Sequence, residues 1–122
     1  MGHERRRHPR IQVALPVAVQ DGADEQGELR TQTRNISSRG AYLEVPRAIP
    51  ELTRLEVTLC VPGGSARHRE LHCGGVVVRC DPLPAAGDGS AAHAIAVFFD
   101  RIGAHEQSLL DAFVAAQLTA GA

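Results

Sequence analysis

A chain of 122 residues fits one domain and is too short for two independent cores. Its 13 basic and 14 acidic residues leave a formal net charge of -1, which excludes a bulk polyanion binder that works through a broad basic face. Every basic residue is arginine, and with the abundant alanine and glycine this reads as codon bias, so only the clustering of arginines is informative.

That cluster comes first. Residues 1–10 hold Glu4-Arg5-Arg6-Arg7-His8-Pro9-Arg10, four arginines against one glutamate, and are expected to form a flexible arm that acts as a ligand switch. The polar start lacks a signal-peptide core and no apolar run approaches the ~20 residues of a membrane span, so the expectation is a cytoplasmic protein with no direct membrane insertion.

After the arm, Ile11, Val13, Leu15, Val17 and Val19 alternate across residues 11–19, the period of a half-buried strand. Pro16 falls on the opposite face and predicts an edge position or a bulge there. A polar loop leads to a second strand at about residues 28–36. The turn Asn35-Ile36-Ser37-Ser38-Arg39-Gly40 then makes a hairpin with a third strand, in which Ala41, Leu43 and Val45 point inward. Pro46 and Pro50 bracket a loop before a fourth strand with Leu55, Val57, Leu59 and Val61 on its buried face. The fifth strand, LHCGGVVVRC, contains paired glycines that predict a bulge or a close backbone approach, and HAIAVFF supplies a sixth. The period then changes, with Leu109, Leu110, Phe113, Val114 and Leu118 marking an amphipathic helix over about residues 104–119. The expected fold is mainly β, a six-stranded antiparallel β-barrel with a C-terminal α-helix over an opening or flank, spanning residues 11–119.

The arm and the turn, about 25 residues apart, together describe an anion site. The arm offers guanidiniums, and the turn offers an amide, two hydroxyls and a glycine that lets the backbone approach a ligand. Gly40 is expected to adopt a positive φ. The three cysteines, Cys60, Cys73 and Cys80, are odd in number and have no C-x-x-C spacing, so they read as reduced core thiols. The six histidines are scattered with no metal-ligand spacing, and no nucleophile elbow, P-loop or acid/base carboxylate pair appears. Neither an enzyme nor a metal protein is expected.

The arm contains R-x-x-x-R as Arg6 and Arg10, preceded by Arg5, and the turn contains D/N-x-S-x-x-G as Asn35, Ser37 and Gly40. In this order, on six strands and a C-terminal helix, the chain resembles a PilZ domain from about residue 4 to residue 118. The resemblance implies a receptor for cyclic di-GMP that signals in trans, through an unidentified protein partner, to motility, biofilm or envelope machinery. By the same resemblance, Arg6 and Arg10 hold guanine edges and phosphates while Asn35 and Ser37 read the other guanine. The R-R-x-x-x-R form completed by Arg5 implies two intercalated ligands per chain. Arg7 and Arg39 are expected to add long-range attraction, and Arg79 is a candidate stacking partner. Asn35 stands where the family more often has Asp, which keeps the acceptor oxygen and drops its charge.

Three rival readings are weaker. A PilZ-like interaction module that binds no nucleotide usually lacks the arginine pair. A reader of RNA or single-stranded DNA usually displays stacking aromatics, whereas this chain has no tryptophan and its Tyr42, Phe98, Phe99 and Phe113 fall mostly in core-like patterns. A cyclic dinucleotide phosphodiesterase normally needs metal ligands.

Overall fold

The computed structural model describes residues 9–21, 27–62, 68–84 and 93–120. Six strands, β1 (Pro16–Asp21), β2 (Leu29–Ile36), β3 (Gly40–Val45), β4 (Arg54–Pro62), β5 (His68–Pro82) and β6 (His93–Arg101), precede one helix, α1 (Ala104–Ala120). They close into a barrel in the order β1-β2-β3-β6-β5-β4, with antiparallel neighbours throughout. Closure pairs both sides of every strand and so removes exposed edges.

The interior follows the period-two pattern. Val17, Val19, Ala41, Leu43, Val45, Leu55, Val57, Leu59 and Val61 all face inward and are buried. Leu110, Phe113 and Val114 seat α1 against this core, but Leu118, expected on the same stripe, is 42% exposed, in a stretch over 115–119 that is exposed throughout. Of the three cysteines only Cys73 is buried; Cys60 and Cys80 are half-buried on the barrel wall, which corrects their reading as core thiols.

The first strand is shorter than its alternation. Residues 11–15 keep the burial pattern, yet Thr33 serves them in place of a continuous ladder. Its hydroxyl accepts from Leu15 N at 2.9 Å and donates to Val13 O at 2.5 Å, while Thr33 N donates to Leu15 O at 3.0 Å. Pro16 therefore sits at neither an edge nor a bulge: it opens β1, where its missing N–H is tolerated. The predicted irregularity in β5 is present, with register shifts between Gly74 and Val76 and between Val77 and Arg79.

Burial sets the chemistry of Cys73. Desolvation, with the Glu56 charge adding to it, pushes the thiol up to about 12. A folded value above the unfolded one means that the buried thiol's stabilisation is fully present below about pH 9 and is lost as pH rises from there through 12. Urea unfolding should therefore show a loss of roughly 1 to 2 kcal/mol between pH 9 and pH 10.5 that Cys73→Val lacks. An identical pH dependence in the variant would remove this assignment.

Candidate nucleotide-binding site

The sequence motifs meet where the chain enters the barrel. Ile11 and Ile36 form a two-bond bridge, Ile11 N donating to Ile36 O at 2.9 Å and Ile36 N to Ile11 O at 3.0 Å. This fixes the arm's last residue beside the turn between β2 and β3. Arg10 Nη1 then donates to Asn35 Oδ1 at 2.7 Å across 25 residues of sequence, on the exposed surface. Of the predicted site residues, the structure brings together Arg10, Asn35, Ser37 and Gly40; Arg5 and Arg6 lie outside the described residues.

Ser37 faces inward. It is 2% exposed, and its hydroxyl accepts from Arg39 N at 3.1 Å, while Ser37 N donates to Gly40 O at 2.8 Å. The side chain thus closes the turn upon itself, as short hydroxyl side chains do when they compete with regular backbone pairing.

Gly40 has a different reason from the one expected. Among the described residues positive φ occurs only at Gly27 and Leu52, so no left-handed backbone requires a glycine at position 40. Space requires it instead: a Cβ there would run into the carbonyl oxygen of Val97 on the neighbouring strand and lie 3.3 Å from the carbonyl carbon.

Two side chains that sequence reasoning placed in core-like patterns form the outer wall beside this turn. Gly40 pairs with Phe98, which is 42% exposed, and Tyr42 pairs with both Asn35 and Ala96. Directly paired residues share a face, so Asn35, Tyr42, Ala96 and, across β6, Arg79 form one outward row. Phe98 and Tyr42 stand on either side of the small residues Gly40 and Ala96. The signal was available: Ala41 and Leu43 point inward, so Tyr42 must point out, and the neighbours Phe98 and Phe99 must take opposite faces.

Arg79 caps the row. Its guanidinium carbon is 5.7 Å from the centre of the Tyr42 ring, and its Nε donates to Asp81 Oδ2 at 2.9 Å, the oxygen that also accepts from the Tyr42 hydroxyl at 3.3 Å. Hydrogen bonding with Tyr42 and the Asp81 charge hold the guanidinium's pKa above its ordinary value, so it stays cationic. A cleft of about 460 Å³ lies at the other end of the row, lined by Gln12, Ala14, Arg34, Asn35 and Tyr42 among others. Chemically, this surface offers the guanidiniums of Arg10 and Arg79, the Asn35 amide and the exposed Phe98 beside a floor of small residues, a set able to receive a planar base and an anion together.

No group of three or more His, Cys, Asp or Glu among the described residues could hold a metal ion. No helix among them is long and apolar enough to cross a membrane.

The PilZ domain family model matches residues 4–116, and the chain belongs to that family, a family of receptors and adaptors. Solved structures share the fold. The Bacillus subtilis inhibitor of motility, MotI/DgrA, is 22% identical with a TM-score of 0.77, over 95% of this chain and 52% of its own. The PilZ domain of Escherichia coli YcgR, solved with c-di-GMP, is 15% identical with a TM-score of 0.68, over 96% of this chain and 95% of its own. The K. pneumonia MrkH-c-di-GMP complex is 15% identical with a TM-score of 0.69, over 97% of this chain and 54% of its own. The chain thus spans about half the length of MotI/DgrA and of MrkH. Comparison with curated proteins finds no match.

Proposed function

We propose that this protein is a cyclic di-GMP receptor that changes conformation on binding and signals in trans from the cytoplasm to motility, biofilm or envelope machinery, without enzymatic activity of its own. The observation that carries this reading is the 2.7 Å contact of Arg10 with Asn35, which joins the arm motif to the turn motif on one outer face. Two structurally similar proteins, the PilZ domain of YcgR and MrkH, are solved with c-di-GMP and add support.

In this reading Arg10, held beside Asn35, turns its guanidinium to guanine O6 and N7 or to phosphate oxygens. Arg6 makes the companion contact. Asn35 is the polar reader on the barrel, and Gly40 lets a purine approach the wall beside Phe98. Ser37 contributes by holding the turn's shape, and Tyr42 with Arg79 flanks the base. Arg5 completes the form associated with two intercalated ligands.

Calorimetric titration with cyclic di-GMP, with GTP and a short single-stranded RNA as controls at fixed salt, tests the proposal. Selective, saturable binding at two ligands per chain is expected. One per chain keeps the receptor and removes the role of Arg5. No heat from a folded sample, matched by a null result in an orthogonal binding assay, favours a PilZ-like protein-interaction module, for which the exposed Leu52, Val78 and Phe98 offer apolar surface.

A further inference from the structure

The backbone carbonyls of the turn between β2 and β3 are received by different parts of the fold. Gly40 O accepts from Ser37 within the turn, and Arg39 O accepts from Phe99 N of β6 at 2.8 Å. Ser38 O instead accepts from the helix, through Gln107 Nε2 at 2.9 Å. The same nitrogen donates to Asp111 Oδ1, one helical turn further along α1, at 2.8 Å. Because both neighbours are acceptors, the amide has one satisfactory orientation; turned over, its oxygen would face a carbonyl and a carboxylate. The Asp111 charge also polarises the amide and strengthens its bond to the turn.

This is a long-range fastening, 69 residues apart in sequence, between the middle of the ligand-binding turn and the element that seats Leu110, Phe113 and Val114 in the core. Beside it lies a cavity of about 420 Å³ lined by Ser38, Arg39, Val114 and Leu118 among others, which leaves space for the turn and the helix to adjust against one another.

Resting on the cyclic di-GMP reading, we infer that Gln107 is a positioning residue that couples the ligand turn to α1, so that ligand binding and helix seating stabilise each other. Coupling of this kind is reciprocal: the factor by which bound ligand favours the seated helix is the factor by which the seated helix favours ligand. The signal that a bound nucleotide passes on is then a change in how firmly α1 is held.

The test compares wild type with Gln107→Ala and Gln107→Glu, the second of which keeps the size and sets a carboxylate against Ser38 O and Asp111. Loss of one such hydrogen bond should weaken cyclic di-GMP binding roughly two- to tenfold, more for the glutamate than for the alanine. Amide hydrogen exchange supplies the readout that a merely structural role would not move. In wild type, ligand should slow exchange over residues 107–114, and in Gln107→Ala it should bind without slowing that segment. Unchanged affinity in both variants, or undiminished ligand-dependent protection of α1 in Gln107→Ala, overturns the coupling. If wild type fails to bind cyclic di-GMP, the receptor reading falls separately, and the ligand-free proteins decide the coupling. Faster exchange at both the turn and the helix in the variants supports it, and equal exchange at the turn overturns it.

Discussion

Arg10→Ala is expected to weaken cyclic di-GMP binding at least tenfold while leaving the barrel folded. The side chain is exposed and makes its described contact with Asn35 at the surface, so its removal opens no core cavity. The loss at the ligand is larger than a single neutral hydrogen bond, because charge-assisted bonds contribute about 1.5 to 3 kcal/mol each and about 1.4 kcal/mol is a factor of ten. Micromolar binding corresponds to a net of about -8 kcal/mol, reached only after ordering costs of ~1 to 2 kcal/mol per fixed residue. A site that must offset several such residues relies on every guanidinium it has.

Arg10→Lys separates two roles. A lysine keeps the charge but loses the planar fork that can hold Asn35 and a guanine edge at once. Binding intermediate between wild type and Arg10→Ala is the expected titration result. Full recovery by lysine assigns Arg10 to long-range attraction only, and unchanged affinity in Arg10→Ala removes it from the site. A double-mutant cycle with Asn35→Ala should show coupling, since the two side chains share one hydrogen bond before any ligand arrives.

How much of this was legible in the sequence depended on how local the cause is. Strand alternation is local, so the inward sets Ala41, Leu43, Val45 and Leu55, Val57, Leu59, Val61 could be read without the fold. The antiparallel six-strand barrel follows from their number and turns, but the adjacency of β3 to β6 does not. The close approach of β3 to β6 that depends on that adjacency was hidden. Phe98 joined the core-like aromatics although its alternation with buried Phe99 turns it outward, and the need for glycine at position 40 comes from the Val97 carbonyl 57 positions away and not from backbone dihedrals. Pro16 was misplaced for a similar reason: the part played by Thr33 in the ladder is a side-chain event that alternation cannot encode. Gln107 carried no sequence signal at all, since a glutamine on a helix surface is ordinarily a solvated residue.

Gly40→Ala separates stability from recognition at the position where they coincide. The added Cβ meets the Val97 carbonyl oxygen, and a backbone atom cannot swing aside as the tip of a flexible side chain can. Relief requires β3 and β6 to part at the Gly40–Phe98 pair, which also strains the 2.8 Å bond from Phe99 N to Arg39 O that holds the end of the turn. Overpacking of this kind costs about 1 to 3 kcal/mol, and urea unfolding should report a loss in that range. The same displacement tilts Phe98 away from the turn and moves the backbone that Asn35 and Ser37 flank. Cyclic di-GMP affinity should therefore fall by tenfold or more even under conditions where the variant is fully folded, about the effect of removing one charge-assisted contact. A core truncation on β4, Leu59→Ala, whose paired neighbours Val17 and Leu71 belong to β1 and β5 and not to the outer wall, serves as the control for stability alone. If Gly40→Ala loses stability and binds ligand as wild type does, then Gly40 belongs to the barrel and the purine lies elsewhere on the surface. If it loses affinity in proportion greater than Leu59→Ala, the close approach of β3 to β6 is itself part of the recognition surface, and the turn, the aromatic wall and the arm must be aligned by the same strand pair.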